Sequence, residues 1–172
     1  MALDIIVDHL RGSCDQALQL LRDLVRIPSV STGDVDTEQI DAALGLVARE
    51  LESMGFSHRI FLDRAVCATQ PLLVATHLEA GPNKPTLLYY GHVDVQPAGD
   101  GWVIGQPFDL SEVDGLLYGR GTGDDKGQVV AFLSALRAFS QHGALPVNLV
   151  VLIETGEEAG SKTIQHNRKS VV

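Results

Sequence analysis

Cysteine is scarce. The 172 residues hold two, Cys14 and Cys67, far apart and with no Cys-x-x-Cys spacing, which excludes a thiolate metal cage or a disulfide framework and leaves reduced, packed thiols as the expectation. Basic residues are also in short supply, 13 Lys and Arg against 22 Asp and Glu, for a formal net charge of -9. With no basic surplus to neutralise phosphates, neither a nucleic acid nor an anionic membrane surface is expected as a partner. Apolar runs are short: none approaches the ~18 residues needed to span a bilayer. The opening MALDIIVDHLRGS lacks the basic and long apolar regions of a secretory leader, so the expected location is cytoplasmic. Internal repeats, low-complexity tracts and dividing linkers are lacking too, and one domain is the simplest organisation.

What is present suits an ordinary globular core, with 45% hydrophobic and 20% charged residues. From Cys14 to Ile27, Ala17, Leu18, Leu20, Leu21, Leu24 and Val25 recur at helical spacing until Pro28 ends the pattern. Ile40, Ala43, Leu44, Leu46, Val47, Leu51 and Met54 repeat that period before Gly55 stops it. HRIFLD, LLVATHLE and TLLYYGHVDV read as strands between Gly, Pro and Asn clusters, and KGQVVAFLSALRAFSQHG as a third helix. NLVVLIE, residues 148–154, is apolar on both faces, as in a strand covered by helices on both sides. The fold class is therefore α/β, a largely parallel sheet flanked by helices. The tail beyond Gly160, SKTIQHNRKSVV, loses its apolar period after Ile164.

Three polar clusters follow apolar strands or sit at strand-to-helix turns, where open α/β sheets place ligand sites. In GHVDVQP, His92 and Asp94 are two apart, so period-2 geometry turns both to one side. His92 can ligate a metal while Asp94 hydrogen-bonds the other ring nitrogen and selects the tautomer, unless His92 is simply a bonded core histidine. In GRGTGDDKG, Asp124 and Asp125 precede the helix beginning near Lys126, where they either reach the same crevice or cap the helix. GRGTG lacks the GK[ST] ending of a phosphate loop and the spacing of a dinucleotide fingerprint. In ETGEEAGS, Glu157 and Glu158 repel one another unless a cation or proton neutralises them. With a metal present, one ligates and its neighbour takes a proton from water; without one, the pair is a solvated acidic loop.

Together HVDVQP, GRGTGDDKGQ and EEAGS, with RIPSVS after the first helix, resemble the M20 family of dinuclear metallopeptidases, and the DDKG form resembles its carnosinase and nonspecific dipeptidase branch. The resemblance implies a zinc enzyme hydrolysing dipeptides or short peptides, with manganese as an alternative metal. It implies His92 as ligand to one metal, Asp124 as bridge to both and Glu158 as ligand to the other, with Asp94 as supporting catalytic aspartate and Glu157 as general base. It also implies a cis peptide after Asp124.

Family members are longer, and the resemblance further implies that residues 1–172 are the N-terminal part of a catalytic domain. A further acidic ligand, a second histidine and a lid or dimerisation domain would then be missing, His166 would not be assumed to compensate, and activity would be impaired or absent. The full-length family form would be a homodimer. In such a part, strand 148–154 risks exposing an unpaired apolar edge, with poor solubility or association as the consequence. Two other readings stay open: a non-catalytic truncated variant or binding protein, and an N-acyl amino acid deacylase.

Overall fold

A computed structural model describes residues 2–62, 65–143 and 145–167. Two helices open the chain, α1 (Ala2–Gly12) and α2 (Cys14–Val25), broken at Ser13. The periodicity read for residues 14–27 is α2, which buries Leu21, Leu24 and Val25 and ends ahead of Pro28. Helix α3 (Thr37–Ser53) starts at Asp36, whose carboxylate accepts from the Glu38 and Gln39 amides, and stops before Gly55, whose φ is 86°.

Strands β1 (Ser57–Phe61), β2 (Leu72–His77) and β3 (Thr86–His92) follow, then a small hairpin of β4 (Ser111–Val113) and β5 (Leu116–Tyr118). Asp114 and Gly115 close that hairpin with φ of 53° and 75°, both positive as a two-residue primed turn requires. Helix α4 (Lys126–His142), strand β6 (Asn148–Glu154) and the short α5 (Lys162–Asn167) complete the elements. The strand read as HRIFLD reaches Asp63, and the tail read beyond Ile164 reaches residues 168–172; those positions lie outside the described residues.

The main sheet has the order β1-β2-β6-β3. The α/β class and the helix-flanked sheet hold, but the sheet is mixed rather than largely parallel. β1 with β2 and β2 with β6 are antiparallel, and only β3 with β6 is parallel. That parallel pair is the βαβ unit β3-α4-β6, which brings the C-terminal ends of two strands together.

Leu73, Ala75, Leu149, Val151 and Ile153 share one face of the sheet and enter the core with Leu24, Val25, Leu44, Val47, Leu51, Val129 and Leu133 from the helices. Tyr89, on that face, stacks flat on Phe132 of α4 with ring centroids 3.5 Å apart. The opposite face is partly open, so the expectation of helices over both faces needs correcting. Leu88 and Tyr90 there are 60% and 47% exposed.

The expected apolar edge also lies elsewhere. Strand 148–154 is central, paired on both sides, and the edges are β1 and β3, of which β3 carries the exposed Leu87 and Leu88. The Cys14 thiol is exposed rather than packed. Among the described residues no helix is long and apolar enough to cross a membrane. An edge strand with open leucines favours pairing between copies. Leu88→Asp is therefore expected to reduce self-association of the purified chain in sedimentation, with the helical circular-dichroism signal retained; unchanged association would place the sticky surface elsewhere.

Candidate metal centre

The site forms at the C-terminal ends of β3 and β6, where His92 pairs in register with Glu154. Gly91 makes room for it. A Cβ at Gly91 would stand 2.9 Å from Asp125 Oδ2 and 3.1 Å from Val129 Cγ2, so only glycine lets the start of α4 press this close to β3. Asp125 Oδ2 accepts the backbone amide of His92 at 3.1 Å. Asp125 sits at the N-cap of α4 but makes no side-chain capping bond, so the simple capping reading of this aspartate does not describe its contacts. Burial raises the Asp125 pKa, as does the charge of Asp124, while the His92 contacts lower it. The peptide between Asp124 and Asp125 is cis.

His92 and Asp94 converge as the two-residue spacing requires. The His92 ring is buried, with Nδ1 3.1 Å from the Asp94 main-chain carbonyl and 3.4 Å from its Oδ1. Asp94 thus holds the ring through main chain and carboxylate together. Nε2 points outward, 2.9 Å from Asp124 Oδ1 and 3.9 Å from Glu157 Oε2. The Asp124 side chain is 73% exposed and that of Glu157 44%. Burial of the imidazole lowers its pKa, but the hydrogen bonds and charges of Asp94, Asp124 and Asp125 outweigh it and raise the value to about 9.

Asp94 is fully buried. Its carboxylate accepts the backbone amides of Glu157 at 3.3 Å and Glu158 at 3.1 Å, and the Ser31 hydroxyl at 2.6 Å. The glutamate pair lies in a single 3-10 turn, Glu157–Ala159, closed by left-handed Gly160. Glu158 Oε2 accepts from Gln96 Nε2 at 2.8 Å. Beneath the turn, Glu154 is buried and takes hydrogen bonds from the hydroxyls of Tyr90 and Ser161. Burial raises the pKa of both Glu154 and Tyr90.

The structure therefore brings His92, Asp94, Asp124 and Glu157 into one crevice, with Glu158 beside them and engaged by Gln96. Among the described residues no three His, Cys, Asp or Glu side chains form a ready-made cation cage. The donor chemistry still fits a divalent metal. An imidazole with its second nitrogen held by a buried aspartate is the usual posture of a metal-ligating histidine, and the carboxylates around it hold a proton on His92 where a cation would relieve the charge.

Reading the sequence missed the roles of Ser31, Gln96, Lys126 and the Tyr90–Glu154–Ser161 chain. Ser31 and Lys126 lie inside the quoted RIPSVS and DDKG motifs, which was the available signal. Gln96 lies in HVDVQP, but a neutral amide gives no sign of metal chemistry by itself.

A carboxylate-held histidine beside an aspartate and a glutamate pair, at the C-terminal ends of two strands of an α/β sheet, is a donor set of the kind that suits divalent metals. Comparison with known proteins points the same way. The profile of Peptidase family M20/M25/M40 matches residues 88–169. The chain is 37% identical over 163 residues to the Beta-Ala-His dipeptidase of Mus musculus, covering 88% of this chain and 33% of that protein. It is 38% identical over 146 residues to the Succinyl-diaminopimelate desuccinylase of Rhodospirillum centenum, covering 83% and 35% respectively. The crystal structure of human carnosine dipeptidase 1 superposes with a TM-score of 0.86 at 32% identity, over 99% of this chain and 39% of that one. Residues 88–169 thus match Peptidase family M20/M25/M40, and the chain spans about a third of the length of the curated relatives it matches.

Proposed function

We propose that this chain carries metal-binding and catalytic elements of a zinc-dependent peptidase acting on dipeptides or short peptides. One observation carries the reading: His92 offers Nε2 to the crevice 2.9 Å from Asp124, while Asp94 secures the opposite side of the ring. In this reading His92, Asp124 and Glu158 would hold the metal, with Asp124 lying between the other two donors in role. Mixed nitrogen and carboxylate donors suit zinc, and manganese second.

A bound divalent metal supplies Lewis acidity to a carbonyl and lowers the pKa of water. The chain's own residues do the rest. Asp94 fixes the ring tautomer of His92 and, through the amides of Glu157 and Glu158, the turn that carries both glutamates. The Glu157 carboxylate accepts a proton from the attacking water at Oε and returns it to the departing amine nitrogen. Its half-exposed position gives it access to both. In a longer form of the protein, pairing of two copies as a homodimer belongs to the same proposal.

A second reading, removal of an acyl group from an amino acid, is favoured by the 38% identity to the desuccinylase. Both reactions cleave an amide, so a panel of dipeptides against N-acyl amino acids, offered to the zinc-loaded chain, separates them. Faster dipeptide turnover supports the first reading, and faster acyl turnover the second.

Metal binding by His92 has its own signature. Folding raises the His92 pKa to about 9, so below that pH the proton must leave before the ring ligates. Cobalt or zinc affinity is therefore expected to climb with pH, by up to about tenfold per unit, and to level off above pH about 9. Titration calorimetry on the chain and on His92→Ala checks this. A pH-independent affinity, or one the alanine variant shares, would remove His92 from the ligand set.

A further inference from the structure

RIPSVS is the one quoted motif to which the proposed chemistry gives no task. Its residues lie far from the metal centre in sequence, yet they form part of its wall. Val30 pairs with Val95 as an isolated parallel bridge, with Val95 N donating to Ser29 O at 3.0 Å and Ser31 N to Val95 O at 3.4 Å. Residues 29–31 thus run as a minimal strand beside 93–95, the stretch containing Asp94.

In that register both serines turn towards their neighbour. Ser29 Oγ donates to the Val93 carbonyl and Ser31 Oγ to Asp94 Oδ2, each at 2.6 Å. Both serines are buried, Ser29 fully and Ser31 to 4% exposure. The head of the segment is pinned as well, because the buried Lys126 ammonium donates to the carbonyls of Leu24 and Ile27, each at 2.8 Å.

The Asp94 carboxylate has room for about four donors, and four groups surround it. His92 Nδ1 and the Glu157 amide face Oδ1, at 3.4 and 3.3 Å. The Glu158 amide and the Ser31 hydroxyl face Oδ2, at 3.1 and 2.6 Å. Ser31 makes the shortest of these contacts. It is also the only one of the four donors from outside the two strand ends that Asp94 joins. Without it, Oδ2 keeps one long amide contact in a place where Asp94 has no exposure to water, and the carboxylate gains freedom to turn away from both amides.

We propose that Ser31 is a positioning residue of the metal centre, fixing the plane of the Asp94 carboxylate so that one side chain holds the His92 ring and the Glu157–Glu158 turn in mutual register. This rests on the reading of Asp94 and His92 given above. It adds Ser31 to the site as a third support besides the ends of β3 and β6.

The test compares Ser31→Ala, Ser31→Thr and Ser29→Ala in the 172-residue chain. Ser29→Ala removes an equally short hydrogen bond from the same segment without touching Asp94, so it reports any purely structural loss. Two measurements are made: amide hydrogen exchange by NMR on the metal-free chain, and a cobalt titration followed by visible absorption. Ser31→Ala is expected to speed exchange at the Glu157 and Glu158 amides by about tenfold and to weaken cobalt binding by about tenfold or more, with Val151 in the central strand unchanged. Ser31→Thr, which keeps the hydroxyl, restores both readouts, and Ser29→Ala leaves both near the parent values.

If Ser31→Ala leaves the two amides at parent exchange rates, or Ser29→Ala shifts them equally, the proposal is overturned. Should the parent bind no cobalt, the metal reading fails by itself, and the amide exchange still judges Ser31. Ser31→Cys, close in volume and a much weaker donor, carries the comparison if the alanine chain does not fold.

Discussion

Glu157→Gln is expected to lower metal-dependent dipeptide hydrolysis by about 10²–10⁴-fold, the contribution of a well-placed general base, while leaving zinc affinity near that of the parent. Glutamine keeps the size and the amide contact: the backbone N–H of residue 157 still reaches Asp94 Oδ1, so the turn retains its shape. Only the capacity to take a proton is lost. Glu158→Gln is expected to do the reverse. Its carboxylate faces Gln96 and, in the proposed reading, would hold metal, so affinity should fall first, with added zinc recovering part of the rate. Calorimetric zinc titrations alongside the hydrolysis assay measure both quantities for both variants. A Glu157→Gln protein that binds zinc weakly and regains its rate at high zinc would exchange the two roles. The binding half of this comparison decides between the glutamates even where turnover is too slow to measure.

Much of this architecture was readable because it depends on local rules. Periodic leucines and valines end at Pro28 and at Gly55, and α2 and α3 end there too. The run NLVVLIE is apolar on both faces, and β6 is the strand whose Leu149, Val151, Leu152 and Ile153 are all buried. The same run suggested a parallel sheet, and there the reading fell short. A central antiparallel strand is as apolar as a parallel one, and strand direction depends on connections that periodicity does not record. The Asp-Gly dipeptide between Val113 and Leu116 carries the hairpin signal, but its flanking strands are three residues each, too short to show alternation.

The candidate site divides the same way. His92, Asp94, Asp124, Glu157 and Glu158 stand out because carboxylates and imidazoles beside strand ends are costly without a purpose. Ser31 does not, since an isolated serine in a turn-rich stretch looks like a turn residue. Its role depends on the register of residues 29–31 against 93–95, a contact across more than sixty positions. Lys126 was hidden by the opposite prejudice. Lysine is almost never fully buried unless paired, so a lysine opening a helix reads as solvent-exposed, whereas this one has no exposed surface.

Lys126→Met is expected to destabilise the chain by about 3 kcal/mol, read as a lower urea midpoint, because it removes two hydrogen bonds from a buried ammonium, worth roughly 1.5–3 kcal/mol each. Those carbonyls, Leu24 and Ile27, stand where α2 ends. There Leu24 O also accepts the Ile27 amide at 3.2 Å and Ile27 O the Ser29 amide at 2.8 Å, and the ammonium meets the negative end of the helix dipole. Methionine keeps most of the apolar stem, which packs within about 3 Å of the position a Cβ would occupy at Gly121, so the loss reports the missing donor rather than a cavity. Lys126→Ala adds that cavity and is expected to be worse. The pH dependence identifies the cause. Burial pulls the Lys126 pKa down to about 7 from its ordinary 10.5, against the opposing pull of the Asp94 charge. Between those values the unfolded chain binds the proton that the folded chain has released, so stability rises with pH. The parent should therefore gain on Lys126→Met as pH increases from about 7 towards 10. A difference that stays constant across that range would mean that Lys126 remains charged in the fold and acts through its hydrogen bonds alone. The same unfolding series, followed by cobalt absorption, shows whether loosening the pinned 24–27 segment also loosens the metal centre.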